Sequence, residues 1–447
     1  MGKGRLSPPW LHFAAIACSS IFTIYCSQAQ AAGFQLIEQS VSGMGTAYAG
    51  GAAQAQDATT IYFNPAGMTH LEGRQAMAAV HVVVPRAEFR DKGSTHLLGA
   101  GLGSSEGGDA GMTGIIPNLY YSGKVSNDIY FGLGINAPFG LGTEYGKDWI
   151  GRYHAVKSEL LTININPAIA FRAGDQISIG IGINAQYIDA ELTNAIDMGA
   201  IDVITFGNAF GLTPGADDGF VKLKGDDWSM GYNIGVLFDL GEQTRLGLHY
   251  RSGIRHDIKG DADFSGPLTG VGGLFADTNV KSRVTLPAMA SASVFHAINA
   301  RWAVMADLSW TNWSRLKELR FDFSNPLQPD GVTTLKWEDS YRYSIGATYR
   351  PDRRWTYRSG IAYDESPIPG PRYRTPRIPG EDRAWLAFGI GYKYSDQLSL
   401  DFSYAHLFMD DAKIRKTAVG EDALRGALRG NYDLSVDIIS AQLNWAF

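Results

Sequence analysis

The sequence has almost no cysteine. Its 447 residues include only Cys18 and Cys26, and both fall within the first 31 residues. A chain without those residues has no disulfide bond, no thiol nucleophile and no thiolate ligand for a metal. The nine histidines also show no His-Glu-x-x-His or other metal-ligand spacing. The sequence therefore predicts no metal, no cofactor and no enzyme activity.

Positive charge and long apolar runs are also scarce. The first 31 residues hold two of the 39 Lys and Arg residues and none of the 45 Asp and Glu residues, which leaves a net charge of −8 on the remainder. Nucleic-acid binding rests on basic contacts to phosphate, so this balance disfavours it. After residue 31 no run of about 18 apolar residues occurs, so no transmembrane helix is expected.

The N-terminus is arranged like a secretory signal peptide over residues 1–31. Two basic residues precede a mostly apolar core at 10–26, and Ala29-Gln30-Ala31 supplies a small-x-small cleavage pattern. The mature chain is expected to begin at Ala32. The alternative is an N-terminal membrane anchor, which the short and Ser/Thr-interrupted apolar core disfavours.

Glycine and aromatic residues are abundant, and apolar residues alternate strictly with small or polar ones. The chain has 53 Gly and 12% aromatic residues. From Ile177 to Tyr187 every second residue is apolar, and the residues between them are Ser, Gly, Asn and Gln. Successive side chains of a strand point to opposite faces, so this pattern predicts strands with one apolar and one small or polar face. In a membrane barrel the apolar face meets lipid and the other face lines the lumen.

Connection lengths separate a barrel from a soluble sandwich. Strands are predicted near 75–89, 116–125, 129–139, 160–172, 177–192, 227–240, 244–258, 282–296, 301–323, 334–350, 355–363, 382–394, 397–409 and 434–447. The connections between them alternate between short and long, as in outer-membrane barrels, which also have an even strand number. We therefore treat 301–323 as one long strand bent near Trp313-Ser314. The fold class is all-β, a 14-stranded antiparallel transmembrane barrel over residues 75–447.

The C-terminal strand alternates up to its last residue, Phe447. A final strand that ends in an aromatic residue resembles the signal read by the outer-membrane assembly machinery. The predicted location is the outer membrane of a Gram-negative bacterium, where lipid and lipopolysaccharide surround the barrel. A monomer is expected, because a closed barrel has no free edge strand to pair.

Residues 32–74 precede the first predicted strand and do not alternate. They are rich in Ala and Gly and include the apolar stretch Ile61 to Gly67, IYFNPAG. A barrel of this size would otherwise enclose an aqueous hole, so a plug inside the lumen is the simplest interpretation. A periplasmic linker is the alternative, which the apolar residues disfavour.

Several stretches together resemble one known family. They are AGFQL, SGMGTAYAGGAA, NPAG, INAPFGLGTEYG, YRSGIRHDIKG, DSYRYSIGATYR and IPGEDRAWLAFGIGY. These stretches, in this order, resemble those of the long-chain fatty acid outer-membrane transporter family, which includes channels for aromatic hydrocarbons. The resemblance implies a 14-stranded barrel closed by an N-terminal hatch, here residues 32–74. It also implies a third strand that is kinked inward and leaves a lateral opening.

A candidate gate follows from this resemblance and from local chemistry. Pro cannot donate a ladder hydrogen bond and Gly permits a bulge, so the third strand is expected to break at Pro138 and Gly140, unless it simply ends there. We expect the IYFNPAG turn to face this break. The predicted hatch and gate residues are Phe34, Asn64, Pro65, Ala66, Gly67, Asn136, Pro138, Phe139 and Gly140.

Two long connections, 193–226 and 259–281, are apolar for extracellular loops. We interpret them as a surface that collects an apolar ligand, a role that the resemblance also implies; the alternative is a cap in which they pack on each other. The predicted collecting residues are Ile201, Ile204, Phe206, Phe210, Leu268 and Phe275.

The predicted function is passive uptake of hydrophobic or amphipathic molecules, with long-chain fatty acids favoured. Arg342 and Arg358 are candidates to bind a fatty-acid carboxylate. Fatty-acid carriers that resemble this chain tend to be basic where Asp189 and Glu338 stand, so a channel for neutral aromatic hydrocarbons remains the alternative. An outer-membrane enzyme, an adhesin or a surface receptor is more remote.

Overall fold

The computed structural model describes residues 33–447. The predicted signal peptide, residues 1–31, lies outside the described residues. Within them no helix is both long and apolar enough to cross a membrane. The helices are short: α1 (Val41–Met44), α2 (Gly51–Gln54), α3 (Thr60–Phe63) and α4 (Met198–Phe206), with 3₁₀ turns at Pro65–His70, Val271–Gly273, Trp313–Arg315 and Gly420–Asp422.

The remaining regular structure is one antiparallel sheet of twenty segments in the described chain. They are β1 (Arg74–Asp91), β2 (Gly114–Lys124), β3 (Ile129–Asn136), β4 (Gly140–Glu144), β5 (Lys157–Arg172), β6 (Ile177–Asp197), β7 (Asp218–Asp239), β8 (Thr244–Arg251), β9 (Ile254–Ser265), β10 (Thr278–Leu286), β11 (Met289–Ala297), β12 (Trp302–Thr311), β13 (Glu318–Phe323), β14 (Gly331–Thr334), β15 (Ser340–Tyr349), β16 (Trp355–Asp364), β17 (Arg383–Lys393), β18 (Leu398–Met409), β19 (Ala412–Arg415) and β20 (Arg429–Ala446).

These segments form fourteen barrel strands, as predicted. Six of the strands consist of two consecutive segments that share neighbours: β3 with β4, β8 with β9, β10 with β11, β12 with β13, β14 with β15, and β18 with β19. The sheet closes where β1 pairs with β20, from Gln75 opposite Ala446 to Asp91 opposite Gly430. The predicted bend of strand 301–323 is confirmed, since the turn Trp313–Arg315 separates β12 from β13.

Alternation separates the two faces of the wall. Ile181 and Ile183 are 45% and 52% exposed on the outer face, whereas Asn184 and Gln186 are 0% and 2% exposed on the inner face. The inner residues are buried because the N-terminal segment, residues 33–71, occupies the lumen. The apolar outer face is the surface that a bilayer would cover.

The N-terminal segment is held by strands all around the barrel. Side chains of four strands form hydrogen bonds with its backbone. They are Asn118 of β2, Ser293 of β11, Arg342 of β15 and Gln442 of β20. Glycines in the wall allow its close approach, because a Cβ on Gly247 would overlap the carbonyl of Ala52. Arg74, which was predicted to belong to the plug, is the first residue of β1.

The two predicted apolar loops are shorter than expected. β6 and β7 remain paired up to Asp197 opposite Asp218, and β9 and β10 remain paired up to Ala262 opposite Thr278. Part of the apolar sequence, including Ile196, Val221 and Phe264, therefore belongs to the ends of these strands, whereas the six predicted collecting residues lie outside strands. Val221, Leu223, Ala262, Phe264 and Val280 form a buried cluster there.

Candidate functional site

The third barrel strand contains an extra residue. β3 ends with Asn136 opposite Asn164 of β5, and β4 begins with Gly140 opposite Leu161. The three residues 137–139 therefore face the two residues between those partners on β5. This unequal count is a β-bulge, which bends a strand and interrupts its pairing.

The barrel wall has a gap in its hydrogen-bonded ladder beside the bulge. β2 pairs with β3 only over residues 119–124, so residues 114–118 have no ladder partner on that side in the described chain. Closer to the long loops, Gly111 bridges to Thr143 and closes the wall again. The gap is therefore a window that is bounded at both ends.

The N-terminal segment covers the inner side of this window. Four hydrogen bonds hold it there: Leu36 N to Pro138 O (2.9 Å), Gly140 N to Phe34 O (2.8 Å), Gln39 Nε2 to Ala137 O (2.9 Å) and Asn118 Nδ2 to Glu38 O (2.8 Å). Residues 34–39 therefore take the place of the missing ladder. An open window requires these bonds to break.

Glu38 is a buried acid within this contact. Burial raises its pKa to about 7, and hydrogen bonding by its own backbone and the charges of Arg383 and Arg342 oppose that rise. Its Oε2 atom has no hydrogen-bond partner among the described residues. The carboxyl group is therefore poised between its protonated and ionised forms near neutral pH.

Phe34 anchors the segment in an aromatic cluster. Its ring lies 4.9 Å from that of Trp313 and 6.0 Å from that of Phe139, and the rings of Trp313 and Trp337 are 5.0 Å apart. All four side chains are buried. The cluster thus joins the N-terminal segment, the bulge and the bend between β12 and β13. Trp313 was predicted only as the position of a bend, and Trp337 was not predicted, since neither stands out in the local alternation.

An apolar pocket adjoins this cluster. It has a volume of about 70 Å³ and its lining includes Phe34, Leu141, Leu160, Leu223, Val284 and Ile378. Pockets that hold drug-sized ligands usually measure about 300–1,000 Å³. A long apolar ligand would therefore have to displace lining side chains, and Phe34 is one of them.

The cations that line this pocket, Lys224 and Arg377, are not the predicted ones. Arg342 donates to Ala47 O and Arg358 pairs with Asp401, and neither lines the pocket. Arg377 does line it. The sequence held no signal for Arg377, because it lies in a loop without periodicity.

Asn64 to Gly67 do not lie at the window. Asn64 Nδ2 donates to Ala52 O (2.7 Å) and to Val236 O of β7 (3.0 Å), and Asn64 Oδ1 accepts from Ala66 N. A Cβ on Gly180 of β6 would overlap the backbone at Pro65 and Ala66. The prediction that this turn faces the break in strand three is therefore wrong. The break is contacted by residues 34–39 instead, because the extended start of the segment can replace a strand and a compact turn cannot.

The apolar loops pack on each other and leave part of their surface exposed. Ile201 and Leu268 are buried with Met198, and Phe206 and Phe275 are partly buried against them. Ile201 and Leu268 thus cannot offer an exposed collecting surface in this conformation. Ile204 and Phe210 remain 51% and 48% exposed. The packing of the loops on each other is thus observed, and the collecting role stays a prediction.

Comparisons with known proteins agree with this architecture. Residues 22–447 match the model of a family described as "Outer membrane protein transport protein (OMPP1/FadL/TodX)". The chain belongs to this family. Membership places it in the outer membrane of a Gram-negative bacterium and in a family named for transport.

Relatives match over most of their length. A long-chain fatty acid transport protein of Escherichia coli O6:H1 is 32% identical over 88% of this chain and 91% of its own. Outer membrane protein P1 of Haemophilus influenzae (strain ATCC 51907 / DSM 11121 / KW20 / Rd) is 30% identical over 94% of this chain and 96% of its own.

Solved structures share the fold at lower identity. A FadL homologue of Pseudomonas aeruginosa has a TM-score of 0.85 at 24% identity and covers 93% of this chain and 100% of its own. The toluene transporter TodX of P. putida has a TM-score of 0.66 at 19% identity, with 87% and 94% covered.

Proposed function

We propose that this FadL-family barrel carries hydrophobic or amphipathic molecules passively across the outer membrane and releases them sideways. One observation carries the proposal: the same six residues, 34–39, contribute Phe34 to the apolar pocket and cover the window in the wall. Displacing this stretch would connect the pocket with the bilayer. Residues 33–71 act as the hatch, and Asn136 to Gly140 frame the gate.

Ligand entry starts at the extracellular loops. Ile204 and Phe210 present exposed apolar surface there, beside the buried core of Ile201 and Leu268. A patch of this kind favours adsorption of an apolar ligand from water. The ligand then enters the pocket beside the hatch.

This collecting role has its own test. Replacing Ile204 and Phe210 together by Asn should slow uptake at low ligand concentration and leave uptake at saturation unchanged. Val419→Asn is the matched control, since Val419 is an exposed apolar residue of another loop. Equal effects of the two changes would contradict the role.

Long-chain fatty acids are the proposed ligands, in keeping with the printed names of several relatives. Neutral aromatic hydrocarbons are the second candidate, because the TodX likeness is to a protein named as a toluene transporter. Uptake through the window needs no covalent chemistry, so we assign no catalytic residue and no cofactor.

Other partners follow from the barrel. Outer-membrane lipid would cover the apolar outer face, and lipopolysaccharide would surround the extracellular loops. Phe447, whose backbone pairs with that of Arg74, would present the C-terminal signal to the assembly machinery. The closed β1–β20 seam leaves no free edge, which favours a monomer.

The deciding experiment measures uptake in a strain that lacks this protein, with and without a plasmid that restores it. Oleate and toluene are supplied separately. We expect uptake of oleate to depend on the plasmid. Identical uptake of both compounds in the two strains would overturn the transport proposal.

A further inference from the structure

The short-turn end of the barrel contains a cavity that the proposed transport route does not use. It has a volume of about 340 Å³ and lies between the hatch residues Gln56 and Asp57 and the ends of β16, β17, β18 and β20. It shares no lining residue with the apolar pocket beside Phe34. Short turns of outer-membrane barrels face the periplasm, so this cavity lies at the end opposite the extracellular loops.

Five cations of the described chain line this cavity, and two of them pair with acids. Arg358 Nη1 lies 2.7 Å from Asp401 Oδ1, and Lys393 Nζ lies 2.8 Å from Asp396 Oδ1. Within residues 33–447 the other three cations form no ion pair; they are Arg350, Arg353 and Arg354. These three belong to one turn, between β15 and β16.

The two remaining acids of the lining form hydrogen bonds to neutral groups. Asp352 Oδ1 accepts from the backbone N–H groups of Arg354 (2.7 Å) and Trp355 (2.9 Å), which fixes the turn. Asp57 accepts from two hydroxyl groups within the hatch, at 2.6 and 2.5 Å. These carboxylates reduce the total positive charge of the cavity, but neither one forms an ion pair with the three arginines.

Arg350 is the most enclosed of the three arginines. It is half-buried, and its side chain has no hydrogen-bond acceptor in the described part of the chain. Burial, and next the positive charge of Arg358, lower the pKa of Arg350. Its surroundings therefore disfavour the charged guanidinium, and a bound anion would stabilise it.

The turn that carries these arginines lies beside an aromatic belt. Tyr349 precedes the turn and its ring lies 4.5 Å from that of Trp302, whereas Trp355 follows the turn and its ring lies 4.6 Å from that of Tyr392. Both tryptophans are exposed on the outer face. Aromatic belts of this kind lie at the level of the lipid head groups. The cavity is thus within reach of lipid phosphate and of phosphate dissolved in the periplasm.

We propose that this cavity binds a phosphate group through Arg350, Arg353 and Arg354. A guanidinium group matches phosphate geometry, because it donates two parallel hydrogen bonds to two phosphate oxygens. The phosphate belongs either to an anionic phospholipid of the inner leaflet or to a soluble compound of the periplasm. The site goes beyond the proposed uptake function and does not depend on it.

The test measures binding by calorimetry on the full-length protein in a nonionic detergent. The ligands are inorganic phosphate, glycerol 3-phosphate and micellar phosphatidylglycerol, and dioleoylglycerol is the lipid without phosphate. We expect the protein to bind at least one phosphate compound and not dioleoylglycerol. Arg350→Gln should weaken that binding about tenfold to hundredfold, as expected for lost hydrogen bonds to a charged group.

Matched variants separate a site from general attraction between charges. Arg301→Gln removes an exposed cation of the neighbouring short turn that does not line the cavity, so binding should change less than twofold. Arg350→Lys keeps the charge without the planar fork and should lose only part of the affinity. If Arg350→Gln fails to fold, the exposed pair Arg353→Gln and Arg354→Gln decides the question.

The pattern of binding identifies the source of the phosphate. Binding of inorganic phosphate or glycerol 3-phosphate would support a soluble ligand, and binding of phosphatidylglycerol alone would support a lipid. Three results would overturn the inference. They are no binding of any phosphate compound by the wild type, full affinity in the Arg350→Gln variant, and equal weakening by Arg301→Gln and Arg350→Gln.

Discussion

The backbone N–H of Leu36 donates a 2.9 Å hydrogen bond to the carbonyl oxygen of Pro138. This bond joins the hatch to the middle of the bulge. A proline at this position has no N–H to pair with a neighbouring strand, but its carbonyl still accepts. Pro138 therefore cannot take full part in the ladder between wall strands, but its carbonyl can accept a hydrogen bond from the hatch that can be broken again.

Removing the extra residue should close the window. Deleting Ala137 and replacing Pro138 by Val would let β3 and β4 pair with β5 without a bulge, because three residues would no longer face two. Uptake of oleate should fall to the level of the strain that lacks the protein. Pro138→Val alone, which retains the extra residue, is the control. Normal uptake by a correctly assembled deletion variant would count against the lateral route.

Phe34→Ala should loosen the hatch. The ring packs on Trp313 and Phe139, and deleting a buried Phe side chain costs about 3–5 kcal/mol in a packed core. The start of the segment should then protect its amides less well from hydrogen exchange, while the wall strands keep their protection. Phe34→Leu, which retains most of the volume, should be milder. Equal exchange in the wild type and in Phe34→Ala would show that the ring does not hold the segment.

Asn64→Ala should destabilise the hatch at a different place. The change leaves the carbonyls of Ala52 and Val236 without their donor, at about 1–3 kcal/mol for each buried acceptor. Limited proteolysis should then cut within residues 51–71 faster than in the wild type, with the barrel intact. Gln54→Ala, whose bond runs only to Gln56 within the hatch, is the control. If the two variants are cleaved at the same rate, the hydrogen bonds of Asn64 do not contribute specially to the stability of the hatch.

Hatch seating should depend on pH through Glu38. Its pKa in the folded protein, about 7, is higher than the 4.5 of a free Glu side chain. The folded state therefore binds the proton more tightly, and this contribution to stability is full below about pH 4.5 and is lost as pH rises to about 7. Hydrogen exchange of residues 34–39 should be faster at pH 8 than at pH 5, after correction for intrinsic rates. Glu38→Gln should remove this dependence, and its persistence in that variant would assign the effect to another group.

Alternation and connection length were sufficient to predict the barrel. The apolar residues of Ile177 to Tyr187 lie on the outer face because a strand has a period of two, and that rule holds without knowledge of the partners. The break at Pro138 was predicted from the family resemblance and from another local property, because proline and glycine act on their own backbone. These features are local in sequence, which is why one sequence reveals them.

The site itself depends on contacts between distant residues. Leu36 and Pro138 are about a hundred positions apart, and Arg377 meets Lys157 and Asn194 from a loop without periodicity. Nothing in the sequence near Asn64 distinguishes a turn at the window from a turn against β7. The lengths of β6 and β7 were also underestimated. Apolar residues at the end of a long hairpin have the same appearance in the sequence as apolar residues of a loop.

The seam between β1 and β20 has a consequence for biogenesis. The hatch directly precedes β1 in the chain, and β1 pairs with β20, which follows all the other strands in sequence order. Before β20 docks, the sheet is open and cannot enclose the hatch. The hatch hydrogen-bonds to side chains of β2, β11, β15 and β20, so these contacts can all exist together only after the seam has closed.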